Sequence, residues 1–200
     1  MAYFKEAERS PLVLQQQFLH EGRLQNAEDL VKSMITESNN PALYALTEHI
    51  DPKAISDVFS DLNISLSQSQ REEDLDTMSP KAYALVFRVL YGASYLNKEM
   101  SNKALELLTK TMFNEGIVAG VPNNIAVAHK FGARTAIPAE GKLKGTPAKE
   151  LHDCGIIYFP EHPYVLCVMT RGTNFEQLAQ TVAEISKTAY QSIDQFFQNQ

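Results

Sequence analysis

Two apolar segments separated by a short turn constrain the fold of this chain more than any other feature. The segments are Cys154–Phe159 (CGIIYF) and Tyr164–Thr170 (YVLCVMT), and Pro160–Pro163 (PEHP) joins them. β-Branched and aromatic residues are frequent in both segments, and so short a connection is typical of a hairpin. Because polar residues hardly interrupt either segment, we predict two strands that are buried on both faces.

The residues on either side of this hairpin add one strand and one helix. Asn124–Lys130 (NIAVAHK) alternates in polarity and predicts a strand that ends at Gly132, with residues 133–150 as a loop. After the hairpin, apolar residues from Asn174 onwards recur at helical spacing and predict a long amphipathic helix. Helices before an antiparallel sheet and a helix after it define an α+β fold.

The first half of the chain has the pattern of helices joined by short links. A helix capped by Asn26 is predicted to run to Glu37, and a second, capped by Asn40, begins at Pro41. Residues 38–40 are therefore expected to form a tight link between the two helices.

A polar stretch then separates these helices from two more. Residues 51–77 are irregular and polar, and we predict a long surface loop there. Ser79 and Ser101 are expected to cap the following helices, and Gly116 to end the second of them.

Composition limits the domain count and the classes of function. A chain of 200 residues that is 44% hydrophobic can build one sizeable core, so we predict a single domain over 1–200. Its helical part covers roughly 9–115, and the sheet with the last helix covers roughly 120–200. The net charge of −6 argues against a nucleic-acid binder, and no apolar run is long enough to predict a membrane span.

The two cysteines, Cys154 and Cys167, fall in the predicted hairpin. Their spacing allows a disulfide, but two buried thiols that pack as small apolar side chains are the favoured interpretation. Neither cysteine has His or Cys neighbours at the spacing of metal ligands. We therefore expect no metal site and no cofactor.

Two short motifs could carry chemistry. Ser38-Asn39-Asn40 lies on the predicted helix link, and Lys130-Phe131-Gly132 lies at the end of the predicted strand. Alone, the first is typical of caps and turns, and a lysine that ends a strand is typical of a solvated edge. In this order and context they resemble the second and third motifs of serine acyl-enzymes such as class A β-lactamases and penicillin-binding proteins, which carry Ser-x-x-Lys, Ser-Asp-Asn and Lys-Thr-Gly.

The residues around the motifs extend the resemblance over essentially the whole chain. Residues 152–172 resemble the two C-terminal strands of that family, residues 30–46 resemble the helix pair of its second motif, and residues 1–8 resemble the helix that follows Ser-x-x-Lys. The resemblance implies a β-lactamase-like fold, in which an antiparallel sheet is covered by helices and an all-helical subdomain is added. It also implies that the N-terminal strands and the nucleophilic serine would precede Met1.

The chain itself offers no replacement for that nucleophile. None of its lysines has a serine three positions earlier. The nearest approach to Ser-x-x-Lys is Thr146-Pro147-Ala148-Lys149, which has threonine in the place of serine. We therefore expect an N-terminally truncated domain that is inactive alone. Its exposed sheet edge is expected to make it marginally stable or prone to aggregation.

The resemblance implies a role for each motif residue. The catalytic pair would be Ser38, which relays a proton to the leaving nitrogen, and Lys130, which supplies positive charge beside it. Asn40 would hold a side-chain amide of the substrate, or a catalytic lysine, through its own side chain, and the Ala133 N–H would be one oxyanion-hole donor. These implied substrate-binding residues are Asn40, Phe131, Gly132 and Ala133.

Three departures bear on activity. Phe131 stands where the family usually has Thr or Ser, and losing a hydrogen bond to a charged substrate group costs about 1.5–3 kcal/mol. Asn39 replaces Asp, which is a milder change. Asp61-Leu62-Asn63 resembles the end of the class A loop, but Phe59 stands where the deacylating Glu is expected. We interpret Asp57 and Asp61 as ordinary loop carboxylates.

Three functions remain open from the sequence. The first is a serine hydrolase domain that acts on β-lactam or peptidoglycan-type amide bonds through an acyl-enzyme. The second is a non-catalytic module that binds peptidoglycan or a protein on the same fold. The third, a helical interaction protein with chance motif matches, is disfavoured by the strand residues. The resemblance suggests export of the intact protein and a small-molecule or peptidoglycan-like substrate.

Overall fold

The computed structural model describes residues 26–64, 78–136 and 147–199. These residues form helices on both sides of an antiparallel sheet, so the prediction of an α+β fold is confirmed. The helices are α1 Ala27–Thr36, α2 Asn40–Thr47, α3 Pro52–Asp61, α4 Pro80–Tyr91, α5 Lys98–Leu108 and α6 Phe175–Gln198, with a 3₁₀ turn at Ile117–Gly120, and the strands are β1 Val127–Ala136, β2 Ala148–Ile157 and β3 Tyr164–Gly172.

The strands are longer than predicted. Their order is β1-β2-β3, and the register pairs Lys130 with Cys154 and Ala136 with Ala148. The prediction of a loop over 133–150 is therefore wrong at both of its ends, and Lys130-Phe131-Gly132 lies inside a strand instead of ending one. The polar ends of the hairpin stay extended because Arg134 and its register partner on β2 are oppositely charged. Residues 137–146 lie outside the described residues.

The side chains of the central strand are more deeply buried than those of the third strand. Most side chains of β2 are buried, as predicted, because helices cover both of its faces. Most side chains of β3 are only half-buried, since the described residues place it at one side of the sheet.

The helix pair around residues 38–40 forms as predicted, with one correction. Asn26 caps α1 through a hydrogen bond from the Glu28 N–H. The cap of α2 is Asn39 and not Asn40, because the Asn39 side-chain oxygen Oδ1 accepts from the Ala42 N–H at 3.0 Å. The helix therefore begins one residue earlier than predicted, at Asn40.

Three further predictions in the helical part are wrong. Residues 51–77 contain α3, which Asp51 caps and Pro52 opens, so a proline at the first turn outweighs the polar composition. Helix α5 is capped by Asn97, whereas Ser101 lies buried inside it, and it ends long before Gly116. Helix α4 is capped by Ser79 as predicted. Residues 65–77 lie outside the described residues.

The sheet lies between two helical layers. Helices α4 and α5 cover one face, and α6 with the 3₁₀ turn covers the other. Among the described residues, no helix combines the length and apolar character that crossing a bilayer requires. The apolar clusters on the two faces centre on Phe87, Leu105, Ala128 and Ile156, and on Phe113, Phe131, Leu151 and Phe175.

The cysteines are joined, which corrects the expectation of two thiols. Cys154 and Cys167 are register partners on β2 and β3, with Cα atoms 4.0 Å apart, and their sulfurs form a disulfide. The side chain of Cys154 is fully buried on the face covered by α4 and α5. The sequence separates these residues by 13 positions, and it could not reveal their register.

Candidate functional site

The structure brings Ser38 and Lys130 into direct contact. Ser38 lies in the link between α1 and α2 with a positive φ of 55°. This conformation is uncommon for residues other than glycine. The Lys130 ammonium donates to Ser38 Oγ although 92 positions separate the two residues in the sequence. The folded chain therefore assembles the two predicted catalytic residues at one place.

The environment of Lys130 combines burial with polar contacts. Its Nζ also donates to the Phe131 carbonyl oxygen at 3.0 Å and lies 4.7 Å from the centre of that ring. Burial lowers the pKa of Lys130 from 10.5 to about 8, and the charge of Asp153 acts in the opposite direction. Lys130 can therefore exchange a proton with its surroundings near neutral pH.

Phe131 is part of the core, whereas Gly132 is open. The Phe131 ring stacks on Phe113 with centroids 4.3 Å apart and is only 6% exposed. Among the residues that the structure describes, none would lie within 4 Å of a Cβ atom at Gly132. The predicted substrate-binding role of Phe131 stays a prediction, and both its carbonyl oxygen and its ring lie next to the Lys130 ammonium.

The Ala133 backbone N–H points away from β2. Successive residues of an antiparallel strand direct their backbone groups alternately toward and away from the partner strand. The Tyr158 N–H donates to the Ala126 oxygen at 3.0 Å, so even-numbered positions of β1 face β2. The Phe131 oxygen, which accepts from Lys130, faces the opposite edge. Ala133 lies two positions further along the strand, so its backbone groups point to that same edge. Its N–H thus points to the edge where the lysine ammonium lies, as an oxyanion-hole donor requires.

The two asparagines of the second motif differ in exposure. Asn39 is 3% exposed and is used to cap α2, so the residue that replaces the family Asp has a structural task. Asn40 is exposed at the first position of α2. Its predicted contact with substrate stays a prediction.

A buried polar cluster behind Lys130 was missed by sequence reasoning. His129 Nδ1 lies 2.8 Å from Asp153 Oδ1, and both side chains are almost completely buried. The Thr111 hydroxyl donates to the His129 oxygen at 2.8 Å, and the Tyr83 hydroxyl donates to the Lys130 oxygen at 2.9 Å. Burial also raises the pKa of Tyr83. Nothing in the local pattern marks these residues, because they meet through strand register and helix packing.

The acidic residues near Phe59 are ordinary surface groups, as the sequence predicts, although they lie on α3 and not in a loop. Asp57 pairs with Lys53, four positions earlier. Asp61 accepts from the Tyr95 hydroxyl at 3.1 Å. Within the described parts of the chain, no group of three or more acidic, His or Cys side chains is placed to hold a metal ion.

A family-level match accompanies this geometry. The sequence model of the beta-lactamase enzyme family matches residues 8–193, which is nearly the whole chain. The chain belongs to the beta-lactamase enzyme family. The predicted family resemblance is thereby confirmed. No curated protein gives a significant match.

Solved structures of this family share the fold. A β-lactamase from Sphaerobacter thermophilus superposes with a TM-score of 0.72 at 22% identity, covering 87% of this chain and 65% of that one. A mutant of PBP-A, solved as an acyl-enzyme complex with penicillin G, has a TM-score of 0.69 at 16% identity and covers 94% of this chain and 71% of that one. A β-lactamase from Chitinophaga pinensis gives 0.67 at 16% identity, covering 85% and 66%. At sequence identities of 16–22%, this structural similarity establishes the fold alone.

Proposed function

We propose that this chain carries the proton-transfer and substrate-binding half of a serine acyl-transfer site for β-lactam or peptidoglycan-type amide bonds. The observation that carries the proposal is the contact between the Lys130 ammonium and Ser38 Oγ. A hydroxyl can accept from one group while it donates to another, which a proton relay needs.

The direction of proton movement follows from this contact. When a serine nucleophile elsewhere attacks the amide carbonyl, the leaving nitrogen needs a proton. Ser38 donates its hydroxyl proton to that nitrogen and regains one from the Lys130 ammonium. Because burial lowers the pKa of Lys130 to about 8, the ammonium releases its proton more readily than an exposed lysine does.

The edge of β1 that faces away from β2 supplies the complementary binding groups. Gly132 leaves space beside the strand, and the Ala133 N–H points to the edge where negative charge would develop on the carbonyl oxygen. The Lys130 ammonium attracts a substrate carboxylate to the same place. We infer that the attacking serine lies outside residues 1–200, since none of their lysines follows a serine by three positions.

The disulfide supports the proposal that the intact protein is exported. Disulfides form and persist in oxidising compartments and are rare in reducing ones. Cys154 and Cys167 are joined on the same rung of the sheet as Lys130, so the bond belongs to the scaffold of the proposed site.

A non-catalytic binding module on the same fold is the second candidate. Phe131 favours it, because a buried ring stands where the family usually presents a hydroxyl to the substrate. The open space at Gly132 would then receive a ligand that is bound and not cleaved.

Intact-mass labelling with a penicillin separates these functions. The 200-residue chain and a product extended by the in-frame codons that precede Met1 are incubated in parallel. An adduct on the extended protein alone supports the acyl-transfer function and the external serine. No adduct on either protein, with retained binding of peptidoglycan fragments, supports the binding module. An adduct on the 200-residue chain contradicts the proposal and assigns the nucleophile to one of its own residues.

A further inference from the structure

Asp153 is a buried carboxylate next to the strand segment that carries Lys130. Its register partner on β1 is Phe131, the residue after Lys130, and its neighbour Cys154 pairs with Lys130 itself. No part of Asp153 is exposed to solvent. Removing a carboxylate from water is costly unless it is paired, so its partners indicate its task.

The partners of Asp153 come from two directions. His129 Nδ1 lies 2.8 Å from Oδ1, and the Ile117 N–H donates to Oδ2 at 2.9 Å. The chain at Gly116 lies so close that a Cβ there would overlap Oδ2. The 3₁₀ turn is thereby held on one side of the carboxylate and strand β1 on the other.

These contacts fix the backbone on both sides of the Lys130 Cα atom. His129, held by Asp153, directly precedes Lys130, and its carbonyl accepts from the Thr111 hydroxyl. The Lys130 carbonyl accepts from the Tyr83 hydroxyl of α4. A lysine side chain is long and flexible, so the position of its ammonium at a distant serine depends on how firmly its backbone is held.

We propose that Asp153 is a positioning residue for Lys130, because its bonds to His129 and to the Ile117 backbone fix the segment of β1 from which the ammonium reaches Ser38, and because its negative charge favours the ammonium form of that lysine. This inference rests on the proposed function for the catalytic role of Lys130. Its geometry is independent of any substrate.

The charge of Asp153 adds a second effect on the same lysine. The groups around Lys130 are the Ser38 hydroxyl, the Tyr83 phenol and the Phe131 ring, in addition to Asp153 and its His129 partner. Burial lowers the pKa of Lys130 to about 8, and the Asp153 carboxylate opposes that effect. Removing the carboxylate is therefore expected to lower the pKa of Lys130 further, since an opposite charge favours the charged form.

The test is an NMR titration of Lys130 without ligand, in the wild type and in Asp153→Asn. The asparagine has nearly the same shape and keeps an oxygen for the Ile117 N–H. The Lys130 ¹³Cε and ¹⁵Nζ signals, assigned by their loss in Lys130→Met, are followed between about pH 6 and pH 11. We expect the midpoint to fall by about one pH unit, which is a tenfold change in the ratio of ammonium to amine.

Glu150→Gln is the matched control. Glu150 is also a buried carboxylate of β2, but Arg134 and Arg171 pair with it three residues further from the lysine. The control is expected to leave the Lys130 midpoint in place. An unchanged midpoint in Asp153→Asn, or an equal fall in Glu150→Gln, overturns the inference.

A second variant covers the case in which Asp153→Asn does not fold. Asp153→Thr suits a strand and keeps a hydroxyl oxygen for the Ile117 N–H, and the same fall of the midpoint is expected. Because this readout needs no substrate, it is separable from the proposed function. A lowered midpoint with no penicillin labelling of the extended protein supports the positioning role and contradicts the function, whereas an unchanged midpoint with labelling of the extended protein alone does the reverse.

Discussion

Replacing Lys130 should stabilise the fold while it removes the proposed relay. The pKa of Lys130 falls from its ordinary 10.5 to about 8 because the ammonium is buried. A difference of one in pKa corresponds to about 1.4 kcal/mol. Burying the charged lysine therefore costs the folded state about 3 kcal/mol at neutral pH. Lys130→Met removes this cost, so we expect its free energy of unfolding at pH 7 to exceed that of the wild type by up to about 3 kcal/mol.

The sign of the pH dependence makes this prediction sharp. Below pH 8 the lysine of the wild type is charged in both states, and the full cost is present. As the pH rises from about 8 to about 10.5, the folded state loses the proton while the unfolded state keeps it, so the wild type gains stability. The advantage of Lys130→Met should therefore shrink over this interval and vanish above it.

Urea unfolding at several pH values measures the difference. Lys32→Met on the exposed surface of α1 is the control and should change stability by less than about 0.5 kcal/mol at every pH. A Lys130→Met protein that is less stable than the wild type at pH 7 would refute the reasoning. So would an advantage that does not change between pH 8 and pH 10.5.

Three further perturbations test the scaffold of the site by urea unfolding. Ala93→Gly should raise the free energy of unfolding by about 1 kcal/mol because φ is 46° there. Ser38→Gly, with φ 55°, should instead lower it, because it also removes the hydroxyl that accepts from the buried Lys130 ammonium, a bond worth about 1.5–3 kcal/mol. A gain of stability in Ser38→Gly as large as that in Ala93→Gly would count against this explanation. Phe131→Thr restores the family hydroxyl but should cost about 3–5 kcal/mol through the cavity it leaves, and a cost near zero would remove the ring from the core. Reduction of the bond between Cys154 and Cys167 should lower stability by about 3 kcal/mol, and alkylation of both cysteines without reductant would contradict the disulfide.

The sheet and the last helix could be predicted because their patterns are strong and local. The hairpin segments from Cys154 and Tyr164 are almost purely apolar, and the apolar residues after Asn174 recur at helical spacing. Helix α3 was missed because its polar residues outnumber an apolar stripe that is nevertheless present. Ile55, Val58, Phe59 and Leu62 recur at helical spacing, and Asp51 with Pro52 begins the helix.

The site was predictable only where the motifs resemble a family. That resemblance named Ser38 and Lys130, and the fold brings them together. It could not place the Phe131 ring in the core, which depends on its stacking with Phe113. It also gave no sign of Asp153, because a buried carboxylate is recognised by its tertiary partners and not by its sequence neighbours.

The most direct test of the account is the rate of penicillin labelling in the extended protein with Ser38→Ala. Ser33→Ala, which removes a hydroxyl that donates to Glu37 on α1, is the matched control. If Ser38 passes the proton to the leaving nitrogen, its alanine variant should acylate about 10²–10⁴-fold more slowly, while the control keeps the wild-type rate. Equal rates in all three proteins would contradict the relay, and the contact between Ser38 and Lys130 would then have a purely structural role.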